Sequence, residues 1–180
     1  MWIKGGKLKN FVIFVPQREV LYMQINIDER VAKARNFFTS GYNCAQAVVL
    51  AYEDIIGSDA HTLARLAASF GGGLSRLREV CGAVSGMAFI TGALIPVDDP
   101  LNISAKRENY ALMQSFADKF KVENGSIVCR ELLGLSQRKD EPTPSERTTE
   151  YYRKRPCVEY VATAARIVGE YLASTEPKSV

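Results

Sequence analysis

The chain is poor in the side chains from which many metal and catalytic sites are built: it has a single histidine, His61, and four cysteines that form no CxxC pair. Without CxxC knuckles it offers neither the usual structural zinc motif nor a thioredoxin-type redox motif. Without CxxCH it offers no attachment point for covalent haem. Gly71-Gly72-Gly73 lacks the GxGxxG spacing of a dinucleotide loop and the lysine and hydroxyl of a phosphate loop. That triplet reads as a turn or a close-packing point. His61 stands apart from any partner motif and reads as a surface residue.

Clustered positive charge is also missing. The net charge of +3 arises within residues 1 to 25, where Lys4, Lys7, Lys9 and Arg18 face Glu19, and the remainder of the chain is neutral. Nucleic-acid binding needs a basic face, so that class is set aside. Long apolar runs are scarce. Phe11 to Val15 is too short for a signal peptide and no small-residue cleavage site follows it. Val80 to Val97 is uncharged but contains Pro96 and runs into Asp98 and Asp99. A helix ending before Pro96 would be roughly 23 Å long at ~1.5 Å per residue, short of the ~30 Å hydrocarbon core. The expectation is a buried core helix and no membrane span. With no secretory signal, the expected location is the cytoplasm, where transient or metal-bound thiols are favoured over structural disulfides.

What is present is helical patterning. With 47% hydrophobic and 24% charged residues, 180 positions suffice for one domain with a substantial core. Asp28 opens a pattern through Val31, Ala34 and Phe38 that Gly41 closes. A second helix from Asn43 carries Ala45, Val48, Val49, Tyr52, Ile55 and Ile56 to a stop at Gly57. A third segment runs from Ala60 to Phe70. The glycine- and alanine-rich helix around Cys81 places Gly82 and Gly86, and Ala88 and Gly92, four apart, leaving a stripe of bare backbone for close helix approach. Ile103 to Phe120 traces a further helix that closes near Asn124-Gly125. Cys157, Tyr160, Val161, Ala164, Val168 and Tyr171 mark the last. Residues 136 to 156 are polar and proline-bearing and read as a long surface connection. Alternating strand patterns are lacking after residue 26. The expected fold is all-α, a compact single-domain bundle around a buried glycine/alanine-rich central helix. Residues 1–25 form an N-terminal arm or an upstream start, and residues 26–180 the four-cysteine domain.

The cysteines gain meaning from their places on these helices. Asn43 with Gln46 three residues later is a capping-box pattern that puts Cys44 in a first turn. Ser126 as a cap does the same for Cys129, and Pro156 at the first helical position makes Cys157 the second. Unpaired N–H groups and the positive end of the dipole stabilise a thiolate there. Arg130 and the run Arg153-Lys154-Arg155 add positive charge near Cys129 and Cys157, opposed by Glu131 and Glu159. Thiolates attack disulfides and also ligate metals. Against this stands the role of cysteine as a small core hydrophobe.

The residues Asn-Cys44-Ala-Gln-Ala-Val, Gly-Gly-Gly-Leu-Ser-Arg, Cys81-Gly-Ala-Val-Ser-Gly, Cys129-Arg-Glu-Leu-Leu-Gly and Cys157 together resemble the C_GCAxxG_C_C four-cysteine family of redox-active proteins. The likeness covers residues 30 to 172 and every cysteine. It implies a redox role for Cys44, Cys81, Cys129 and Cys157, and a frequent genomic setting beside transporter genes. A similar domain in split-Soret-type cytochromes c implies that the four cysteines are candidates for holding an iron-sulfur cluster.

Three readings follow. In the first, a thiolate at Cys44, Cys129 or Cys157 attacks a disulfide and a second cysteine resolves the mixed disulfide. Four thiols allow three pairings, and Cys81, with its glycine neighbours, is the first expected member of a pair. In the second, Cys44, Cys81, Cys129 and Cys157 hold an iron-sulfur cluster or, less readily, zinc. In the third, the chain is a helical interaction domain for a transporter. The redox partner is unidentified. Phe37, Phe38, Tyr52 and Phe116 read as core, or, if exposed, as an interface such as that of a homo-oligomer. The carboxylate pairs Glu53-Asp54, Asp98-Asp99 and Asp140-Glu141 read as solvated caps and faces.

Overall fold

The computed structural model describes residues 25–136 and 139–175, so the arm expected over residues 1–25 lies, up to residue 24, outside the described residues. Among the described residues the structure is helical throughout. The elements are α1 (Ile27–Thr39), α2 (Cys44–Leu50), α3 (Glu53–Ile56), α4 (Ala60–Leu66), α5 (Gly71–Leu74, a single turn whose last three residues are left-handed), α6 (Gly82–Leu94), α7 (Ile103–Asn124), α8 (Cys129–Leu132), α9 (Thr149–Lys154) and α10 (Cys157–Thr175), with a 3-10 turn at Ala68–Phe70. None of the described helices is long and apolar enough to cross a membrane.

Five helices enclose the core. α1 lies along α10, α2 sits on α6, and α7 closes against both α6 and α10. Phe38, Tyr52, Phe116, Phe120, Met87, Ile90, Ile167 and Val168 are fully buried between them, each contributing about 1.5 to 3 kcal/mol by leaving water. The bare stripe of α6 works as its spacing predicts. A Cβ on Gly86 would lie 2.8 Å from Val48 Cβ, and one on Gly82 would lie 3.1 Å from Cys44 Cβ. Only glycine lets α2, and with it Cys44, settle at this depth.

Several boundaries differ from those the pattern predicts. The first helix is capped by Asn26, whose side chain accepts from Glu29 N–H, and Asp28 falls inside the first turn. The single helix expected from Asn43 to Gly57 breaks at Ala51–Tyr52 into α2 and α3. There the Tyr52 hydroxyl donates to Ala165 O at 2.6 Å, and the buried Arg30 takes Ala51 O at 2.9 Å. Tertiary bonds thus replace the helical continuation. The third segment is split into α4, capped by Asp59, and the 3-10 turn. The connection over 136–156 contains a helix, α9, which begins on the Thr148 cap. Cys81 is the N-cap of α6 rather than a residue within it. The Cys129 helix is entered from Val128, with Ser126 Oγ accepting Val128 N–H one step earlier. His61 is exposed, as expected.

Candidate functional site: a four-thiol cavity

Each cysteine stands where a helix begins. Asn43 Oδ1 accepts from Ala45 and Gln46 N–H, both at 3.0 Å, while Gln46 Oε1 accepts from Asn43 N–H at 2.9 Å. This complete capping box fixes Cys44 at the first position of α2. Cys157 opens the 19-residue α10 and Cys129 opens the short α8.

Cys81 and Cys129 are joined by backbone. Val80 and Val128 form an isolated antiparallel bridge, flanked by Cys81 N–H to Ile127 O at 2.8 Å and Cys129 N–H to Glu79 O at 2.6 Å. Side chains alternate across such a ladder, so Cys81 and Cys129 fall on the same side of it.

The chain reaches that bridge through an unusual turn. Gly72, Gly73, Leu74, Ser75 and Arg76 all have positive φ, between 48° and 68°, and Arg78 follows at 63°. Each non-glycine residue in this region costs on the order of 1 kcal/mol, and such strain concentrates at functional sites. Here the left-handed path lets Gly73 pass against Cys129, where an added Cβ would lie 2.6 Å from the cysteine Cβ. It also carries Arg78 inward until the side chain is 3% exposed.

The result is a cavity of about 430 Å³ lined by all four cysteines. Gly71 to Gly73, Gly82, Pro142, Pro144 and Ser145 also line it. Four guanidinium groups line it as well: Arg76, Arg78, Arg147 and Arg155. Asp140 Oδ2 accepts from Arg76 at 3.0 Å and from Arg78 Nε at 3.0 Å, and Arg78 also donates to Cys129 Sγ at 3.7 Å. Asp140 is therefore not a solvated face, as the Asp140-Glu141 pair suggested; its side chain is 10% exposed and ties the left-handed turn to the opposite wall. Glu53 and Asp54 do stand in the first turn of α3, and Asp54, 40% exposed, also pairs with the buried Arg30.

Arg147 stacks 4.8 Å from the ring centres of both Phe38 and Tyr151, and Arg155 lies 5.1 Å from that of Tyr151. Neither guanidinium has a carboxylate partner among the described residues, and Arg147 Nη1 is buried there without an acceptor. The other flagged cations are committed elsewhere: Arg130 pairs with Glu79, and Arg153 and Lys154 with Glu150.

The thiols differ sharply in acidity. Cys157 is drawn down to about 7, first by a hydrogen bond from the Cys44 thiol, then by the charges of Arg155, Arg147 and Arg78, all acting against burial. The same bond, with burial and the neighbouring thiolate, holds the Cys44 proton far more tightly than usual. Burial pushes Cys81 up to about 12. It also raises Cys129, against the opposing pull of the Arg78 hydrogen bond. The pair Cys44–Cys157 thus gives up its first proton near neutrality and keeps its second.

The four sulfurs share one cavity, yet among the described residues no three His, Cys, Asp or Glu side chains are set to hold a metal ion together. Cys81 and Cys129 are linked through the bridge, and Cys44 and Cys157 stand at the starts of the packed helices α2 and α10. Sequence reasoning found every cysteine but missed Arg78, Asp140 and Arg147. The charge-dense connection over 136 to 156 was the only signal for the last two.

No curated protein and no solved structure matches the chain. A family model described as "Putative redox-active protein (C_GCAxxG_C_C)" matches residues 42–171, a span that holds all four cysteines and every residue lining the cavity, and the chain belongs to that family.

Proposed function

We propose that this redox-active protein is a dithiol–disulfide exchanger in which Cys157 attacks and Cys44 resolves. The observation that carries the reading is that Cys44 and Cys157, at the starts of the packed helices α2 and α10, line one cavity with four arginines, where each thiol shifts the acidity of the other. The attacking thiol should be a thiolate near neutral pH, and only Cys157 meets that condition.

In the first step the Cys157 thiolate displaces one sulfur of R–S–S–R, forming Cys157–S–S–R and releasing R–S⁻. The released thiolate then takes the Cys44 proton. The Cys44 thiolate attacks the Cys157 sulfur, closing Cys44–S–S–Cys157 and releasing the second R–S⁻. One external disulfide is reduced, two cysteines are oxidised, and one proton moves from Cys44 to a product thiol. Cys81 and Cys129 remain as the second pair of the three possible pairings.

Trapping tests this order of events. Cys44→Ser, treated with a small disulfide, should accumulate a mixed disulfide on Cys157, read by intact mass and peptide mapping. Adduct on Cys81 or Cys129 instead would assign the attack to another thiol.

A further inference from the structure

We propose that the cavity selects small disulfides that carry carboxylates, with Arg147 and Arg155 as the groups that bind them; this deepens, and rests on, the dithiol–disulfide reading. Three observations converge on that substrate class. The cavity, at about 430 Å³, has the size of a small-molecule site. Its charge is unbalanced: among the described residues four arginines and no carboxylate line it, and the adjacent Asp140 is already shared by Arg76 and Arg78. Arg147 and Arg155 remain without anionic partners among the described residues.

Arg147 is also held rigidly for the task. Its guanidinium is stacked between Phe38 and Tyr151, and Nη2 reaches Tyr42 O at 3.5 Å. What it lacks is an acceptor for the buried Nη1. A carboxylate in the cavity gives this guanidinium the anionic partner it lacks, and a fork fixed in advance loses little freedom when it binds. The same two arginines lie close enough to bear on Cys157, so an anion they hold sits beside the attacking sulfur. Cationic disulfides meet the opposite field and are repelled.

The test uses three disulfides of similar size: dithiodipropionate, which is dianionic, hydroxyethyl disulfide, which is neutral, and cystamine, which is dicationic. Each rate of oxidation of the full-length reduced protein is divided by the rate of the same disulfide with mercaptoethanol, removing intrinsic reactivity. The expected order is dithiodipropionate first, hydroxyethyl disulfide second and cystamine last. Arg147→Gln should lower the dianionic-to-neutral ratio by about tenfold, the loss expected for one charge-assisted pair, and Arg147→Lys should restore part of it. The ratio is insensitive to any change in Cys157 acidity, which affects both probes alike. Should Arg147→Gln fail to fold, Arg155→Gln gives the same readout. Equal normalised rates for the three probes, or an unchanged ratio in a folded variant, overturn the charge selection while leaving the exchange reading intact. Failure of all three probes to oxidise the protein overturns both.

Discussion

Two buried arginines, Arg30 and Arg78, are each paired with one aspartate, yet one builds architecture and the other a site. Arg30 spends its fork on Asp54, at 2.5 and 2.6 Å, and on Ala51 O, with its guanidinium 5.1 Å from the Tyr52 ring centre. Every neighbour is another structural group, and the arrangement pins α1 to the break between α2 and α3. Arg78 shares Asp140 with Arg76 and turns a remaining N–H toward Cys129. It does so from a left-handed backbone that an ordinary turn would avoid. Satisfied charge surrounded by packing holds a fold together. Surplus charge beside a cavity of thiols tunes reactivity.

The comparison predicts separable effects. Replacing the attacking sulfur, Cys157→Ser, should lower disulfide exchange at least a hundredfold, since a hydroxyl is a far weaker nucleophile at neutral pH. Stopped-flow consumption of a small disulfide measures this, and unimpaired exchange would dissolve the distinction drawn between the two regions. Arg30→Ala should cost about 2 kcal/mol of stability in urea unfolding by leaving Ala51 O without its donor and removing a buried side chain, while thiol reactivity in the folded fraction stays unchanged. Gly73→Ala places a Cβ against Cys129 at a φ of 65° and should cost about 2 kcal/mol. Unlike Arg30→Ala, it should also alter Cys129 alkylation.

The smallest effect is a pH profile. Because Cys157 is drawn down to about 7, its alkylation should rise through a midpoint near that pH. The buried Cys81, pushed up to about 12, should respond only in strongly alkaline solution. The sign for stability follows. A thiolate favoured by the fold contributes fully above the pKa of an unfolded thiol, about 8.5, and the contribution fades as pH falls through about 7. A midpoint near the ordinary thiol value would place Cys157 with the inert cysteines.

Much of this was legible in the chain because it is local. The capping box at Asn43 and Gln46 located Cys44, Pro156 located Cys157, and the stripe of Gly82 and Gly86 foretold the close approach of a neighbouring helix, which is α2. Cys81 was placed inside its helix because nothing marks the start; its N-cap makes no side-chain hydrogen bond. The expectation that Cys81 is one member of a pair rested on the glycines beside it, of which Gly82 is the one that admits Cys44. α9 was lost because six residues show no hydrophobic periodicity, and only the Thr148 cap announced it. The contacts of Arg78 with Cys129 and Asp140 span 51 and 62 positions. They depend on five successive left-handed residues, of which only the glycines signal that conformation. Long-range electrostatics of this kind has no periodic signature.

The central claim is that Cys44 and Cys157 form the working pair. Mild oxidation of the full-length protein, followed by alkylation of the remaining thiols and mass-spectrometric peptide mapping, tests it most directly. The account predicts a Cys44–Cys157 disulfide with Cys81 and Cys129 alkylated. A first-formed disulfide that joins Cys81 to Cys129, or that leaves Cys157 alkylated, would contradict it.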